Sequence, residues 1–88
     1  MNRYKVLYSK EAVRAFKKTD GSISRRIKDC CDSLISDPEV KGKRLSGHNL
    51  WSLRIGDYRI IYEIDFSNKV VYIITFGHRK KIYFNLQT

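Results

Sequence analysis

Along residues 50–64, Leu-Trp-Ser-Leu-Arg-Ile-Gly-Asp-Tyr-Arg-Ile-Ile-Tyr-Glu-Ile, bulky and β-branched residues flank the dipeptide Gly56-Asp57. Runs of this kind around a Gly-X pair predict a β-hairpin with a type II′ turn, the glycine supplying the positive φ. With those two residues as the loop, Ile55 opposes Tyr58, Arg54 opposes Arg59, Leu53 opposes Ile60, Ser52 opposes Ile61 and Trp51 opposes Tyr62. Successive side chains of a strand point to opposite faces. One face then carries Trp51, Leu53, Ile55, Tyr58, Ile60 and Tyr62 and belongs to a core. The other carries Leu50, Ser52, Arg54, Arg59, Ile61 and Glu63.

The same reading organises the rest of the chain. Tyr4, Val6 and Tyr8 alternate with Lys5 and Leu7, which predicts a first strand over 4–8. Ser9 is placed to cap a short helix through Lys18, with Glu11 in its first turn and an apolar stripe of Ala12, Val13, Ala15 and Phe16. After Asp20-Gly21-Ser22 breaks the chain, Ile23, Ile27, Cys30, Cys31, Leu34 and Ile35 recur at helical spacing. Asp37-Pro38 ends that second helix, since proline cannot continue the hydrogen-bond ladder. Residues 39–49 read as one basic loop, and 65–69 as a turn into a nearly continuous apolar strand, Val70 to Phe76. A strand, a two-helix hairpin and an antiparallel meander give an α+β fold with helices on one sheet face. Trp51, Leu53, Ile60 and Tyr62 are expected against Ile27, Leu34 and Phe16. No repeats or linkers interrupt residues 1–88, which read as a single domain.

Composition changes the picture in one respect. Eighteen basic residues against nine acidic give a net charge of +9, with a pI near 9.8. So positive a surface points to a polyanionic partner, nucleic acid ahead of anionic membrane. No apolar run approaches the roughly 20 residues that span a bilayer. The start, Met-Asn-Arg-Tyr-Lys, lacks the apolar stretch of a signal peptide, so a cytoplasmic location is the expectation. Cys30 and Cys31 are adjacent on a predicted helix, where side chains diverge by about 100°, too far for an unstrained disulfide. With these and only His48 and His78, no spacing supports a zinc site, and both cysteines are expected at or near the core. Neither a metal nor a cofactor is expected.

The chemistry-bearing residues are basic. Arg54 opposite Arg59 breaks the rule that like charges across a ladder destabilise it, and such breaches tend to mark functional sites. Two guanidiniums on a rigid hairpin suit a phosphate or carboxylate, each offering a planar fork of donors. The alternative is that both splay into water. Lys41, Lys43 and Arg44 lead into the hairpin and would extend the anion site. Near the C-terminus comes Gly77-His78-Arg79-Lys80-Lys81-Ile82-Tyr83. Strand parity puts Arg79 on the face of Thr75 and Gly77. His78 is read equally as a half-buried aromatic and as a titrating group. Tyr83 is either an anchor for the tail or a hydroxyl placed at a phosphate.

The hairpin sequence followed by Gly-His-Arg-Lys-Lys-Ile-Tyr resembles the RelE/ParE superfamily of bacterial and archaeal toxin–antitoxin toxins, over essentially the whole chain. For its RelE branch the resemblance implies metal-independent cleavage of messenger RNA in the ribosomal A site. The functional residues would be Arg59, Arg79 and Tyr83, with Arg54 where that branch tends to carry a basic residue. Arg59 and Arg79 would hold the phosphate and Tyr83 would take the 2′-hydroxyl proton, with Arg79 or His78 the acid for the departing oxygen. Lys43, Arg44, Lys80 and Lys81 would add phosphate contacts. Some members place lysines where this chain has Leu50 and Ser52, and the spacing from Arg79 to Tyr83 is shorter than in others. The implied partners are messenger RNA, the ribosome and an acidic, RelB-like antitoxin that folds on binding. The alternatives are a ParE-like inhibitor of DNA gyrase and a non-catalytic binder of RNA or ribosomes.

Overall fold

A computed structural model describes residues 3–45 and 49–78. Arg79, Lys80, Lys81, Tyr83 and His48 lie outside the described residues. The elements run β1 (Lys5–Tyr8), α1 (Lys10–Lys18), α2 (Gly21–Ser33), α3 (Pro38–Lys41), β2 (Lys43–Arg44), β3 (Trp51–Ile55), β4 (Tyr58–Asp65) and β5 (Val70–His78). The five strands form one sheet in the order β1-β5-β4-β3-β2, the α+β arrangement expected. Pairing is antiparallel except between β1 and β5, which run parallel; the helices carry the chain from β1 to β2 at the opposite edge of the sheet. Among the described residues no helix is long and apolar enough to cross a membrane.

Both long helices start as their first residues dictate. Ser9 Oγ accepts from the Ala12 amide at 3.0 Å and opens α1. Asp20 accepts from the Ser22 amide at 3.3 Å and opens α2, so the expected break is itself a cap. Their apolar stripes lie on one face of the sheet. Ala12, Ile27, Cys31 and Leu34 meet Ile60, Tyr62, Ile64, Val71, Ile73 and Phe76 in one buried cluster, with Phe16 packed against it. Ile60 and Tyr62 are fully buried, as expected. Trp51 and Leu53 are only half-buried, because β3 lies next to the edge of the sheet. Val13 and Ile35, counted in the apolar stripes, are exposed.

Two departures shape the site. The segment expected as a single loop holds a helical turn and a short edge strand, α3 and β2. Contrary to expectation α2 ends at Ser33, before Asp37-Pro38, and Pro38 instead starts α3, because a proline costs nothing at the first helical position, where its missing N–H has no partner anyway. The second departure is a β-bulge. Ile61 pairs with Thr75 but Tyr62 pairs with Ile73, leaving Ile74 without an opposite number. Val71 and Ile73 on one side of the bulge, and Phe76 on the other, thereby share the helix-covered face. Ser9 reads this irregularity: its amide donates to the Ile73 carbonyl at 2.9 Å and its hydroxyl to the Ile74 carbonyl.

Candidate anion-binding site on the open sheet face

The hairpin has the register expected from its turn, Ile55 against Tyr58 through Trp51 against Tyr62. Gly56 carries a φ of +57° and Asp57 is not among the positive-φ residues, as a type II′ turn requires. Arg54 and Arg59 are therefore direct cross-strand neighbours, on the face away from the helices. Gly77 of β5 is on the other flank of Arg59.

The guanidiniums do not point side by side. Arg54 Nε donates to the Gly56 carbonyl at 3.1 Å, leaning toward the turn. Arg59 Nη1 donates to Ser52 Oγ at 3.3 Å, leaning away from it. Opposite leans along the hairpin relieve the repulsion that direct juxtaposition would cost. Both side chains still line one shallow depression of about 470 Å³, together with Lys41, Gly42, Lys43 and Ser52. Lys28 and Asp32, both on α2, form an ion pair at 2.9 Å that is not part of this depression.

Lys43 reaches the depression because β2 pairs Lys43 with Ser52 and Arg44 with Trp51. The same parity turns Arg44 to the opposite face, away from the cluster it was expected to join. A buried lock holds β2 in place. Tyr62 donates its hydroxyl to the Pro38 carbonyl at 2.7 Å, tying α3 to the sheet. A Cβ on Gly42 would lie 1.9 Å from that hydroxyl oxygen, so only glycine lets the chain pass. Burial pushes the Tyr62 phenol up to about 12, which keeps it a neutral donor.

His78 also departs from expectation. It pairs with Tyr58, and the two rings meet edge-on at 6.0 Å on the face opposite Arg59. Of the residues expected at the site, Arg54, Arg59 and Lys43 come together, while His78 and Arg44 do not. Sequence reasoning assigned no part to Ser52, Gly42 or Tyr62. Only Ser52 left a signal, as a small polar residue between bulky strand neighbours. The thiols stay out of the chemistry: burial pushes Cys31 up to about 12 and raises Cys30 as well, so neither supplies a thiolate at neutral pH.

Residues 6–83 match the family described as ParE toxin of type II toxin-antitoxin system, parDE. The chain is 34% identical over 85 residues to Toxin RelE3 of Methanocaldococcus jannaschii, covering 90% of this chain and 94% of that one. The toxin in the RelBE2 toxin–antitoxin complex of Mycobacterium tuberculosis superposes with a TM-score of 0.79 at 29% identity, over 88% of this chain and 99% of that one. RelE of the archaeal RelE–RelB complex from Pyrococcus horikoshii gives 0.76 at 29% identity, over 90% and 97%. With the match spanning the helices, the hairpin and β5, this chain belongs to the ParE-toxin family of type II toxin–antitoxin systems, within the RelE/ParE superfamily.

Proposed function

We propose that this toxin is an endoribonuclease that cleaves messenger RNA on the ribosome, with its own side chains supplying the chemistry. The observation that carries the reading is the convergence of Arg54, Arg59 and Lys43 on one depression of the open sheet face. In such a reaction the ribose 2′-oxygen attacks the adjacent phosphorus and the 5′-oxygen departs. One proton must leave the 2′-hydroxyl, another must reach the leaving oxygen, and negative charge builds on the phosphoryl oxygens. Arg59, fixed on a central strand and half-buried, stabilises that charge best where water is partly excluded. Arg79 joins it on the phosphate and Tyr83 takes the 2′-proton, roles that rest on the resemblance. His78 is turned away, so the ammonium of Lys43 is the donor to the leaving oxygen in this reading. Arg54, Lys80 and Lys81 hold the RNA backbone on either side.

Control falls to an acidic, RelB-like antitoxin. The M. tuberculosis and P. horikoshii relatives are toxin–antitoxin complexes, and a toxin at +9 favours an acidic partner that covers its cationic face.

The matched family description, ParE toxin, favours a second reading, inhibition of DNA gyrase. Incubating the purified toxin with mRNA-programmed ribosomes, beside a gyrase supercoiling assay, separates the two. Cleavage at discrete positions with supercoiling intact is the expected result. Blocked supercoiling with intact mRNA overturns it, and inactivity in both leaves only a binding role.

A further inference from the structure

Ser52 is buried, 3% exposed. It lies on β3, on the open face, where strand neighbours are bulky and a serine contributes little packing. A buried hydroxyl is costly unless hydrogen-bonded, and the group that meets this one is Nη1 of Arg59 at 3.3 Å. The backbone of Ser52 is gripped from both sides, paired with Lys43 in β2 and with Ile61 in β4.

We infer that Ser52 is a positioning residue, whose hydroxyl accepts from Arg59 and fixes the guanidinium for its task in the depression. An arginine side chain has several rotatable bonds, and Arg54 directly opposite repels it. A hydrogen bond at Nη1 therefore narrows the orientations open to the guanidinium. Ser52 supplies the tether from a strand held on both edges, the kind of support that keeps a functional group within tenths of an ångström of its working geometry. The bond occupies one of five N–H donors, so tethering and phosphate contact are compatible. Arg54 is tied the other way, to the turn, and the two restraints together set the spacing of the cations. The kinetic consequence rests on the ribonuclease reading above; the tether itself does not.

The experiment compares the full-length toxin with Ser52→Ala, Ser52→Thr and each change in an Arg59→Ala background. Single-turnover cleavage on programmed ribosomes is read beside ribosome affinity, melting temperature and the ¹⁵N resonances of the Arg59 guanidinium. Ser52→Ala should slow the chemical step roughly 10- to 100-fold, the scale of a small misplacement, while affinity stays within about two-fold. Ser52→Thr, which keeps the hydroxyl, should recover most of the rate, and neither change should matter once Arg59 is alanine. The Arg59 Nη resonances should be separate in the unaltered toxin and averaged in Ser52→Ala. Wild-type cleavage by Ser52→Ala, or an equal loss in the Arg59→Ala background, overturns the inference. Should the unaltered toxin cleave nothing, the ribonuclease reading falls, and the resonances alone decide the tether. Should Ser52→Ala not fold, Ser52→Cys, similar in size but a poor acceptor, takes its place with the same expected outcomes.

Discussion

On the proposed ribonuclease reading, Arg59 is where binding and chemistry would separate. Its contact with phosphate would strengthen as the phosphoryl oxygens gain charge, so Arg59→Ala should lower the single-turnover rate by roughly 10²–10³. Loss of an exposed cation such as Lys18 should only weaken RNA binding modestly and flatten its salt dependence. Relief of repulsion with Arg54 would suggest that Arg59→Ala stabilises the fold. The opposite leans of the two side chains remove that gain, and deletion strands the buried Ser52 hydroxyl, at a cost of about 1–3 kcal/mol. A thermal melt gives the sign. Gly42 makes a second test. Gly42→Ala drives a methyl into the Tyr62 hydroxyl and should destabilise by about 1–3 kcal/mol, as overpacking does. Adding Tyr62→Phe should recover part of that loss, because the two changes share one clash. The register placing Arg54 across from Arg59 was legible in the sequence, because Gly56-Asp57 leaves one way to close the hairpin. The bond from Arg59 to Ser52 was not: it runs diagonally between strands, and strand parity says which face a side chain takes but not which way it leans.

Elements differ in how much of themselves they announce. The two long helices were readable from apolar spacing and from Ser9, since each signal is local, whereas Asp37-Pro38 marks the start of α3 rather than the end of α2. The turn α3 and the strand β2 are too short to show a period, and they exist because Tyr62, far along the chain, holds the Pro38 carbonyl. Parallel pairing of β1 with β5 is likewise a long-range outcome. The caps give a comparison. Ser9 caps α1 and also bonds the Ile74 carbonyl, so Ser9→Ala should cost about 1–2 kcal/mol, at the upper end for a cap. Asp20→Ala, at an exposed cap, should cost less, and urea denaturation of both variants ranks them. Acid should act on the exposed caps and turns. The Ser22 hydroxyl and amide hold Asp20 below the usual carboxylate range. The Asn68 amide and side chain do the same for Asp65. Groups depressed in the folded state stabilise it above their unfolded pKa and lose that contribution as pH falls through the folded value. Stability should therefore decline below about pH 4, and less steeply in Asp20→Asn with Asp65→Asn.

At the scale of the whole molecule, charge and shape are separate designs. A net +9 gives long-range attraction for any polyanion, while the cationic depression occupies one part of one face. The complex with an acidic antitoxin should accordingly form fast at low salt and weaken as salt rises. Association rates measured across ionic strength check this, and a salt-independent rate would point to a contact made by apolar surface alone. The bulge at Ile74 carries a different consequence, one of phase. Before it, odd-numbered residues of β5 face the helices; after it, even-numbered ones do. Deleting Ile74 would restore unbroken alternation, with Ile73 in, Thr75 out, Phe76 in and Gly77 out, so Phe76 would stay against the helices and Gly77 beside Arg59. The first half of β5 and its parallel partner would keep their places. Substitution at Ile74, or its removal, should therefore be tolerated better than a residue added between Ile73 and Phe76, which would turn Phe76 out into water and Gly77 inward.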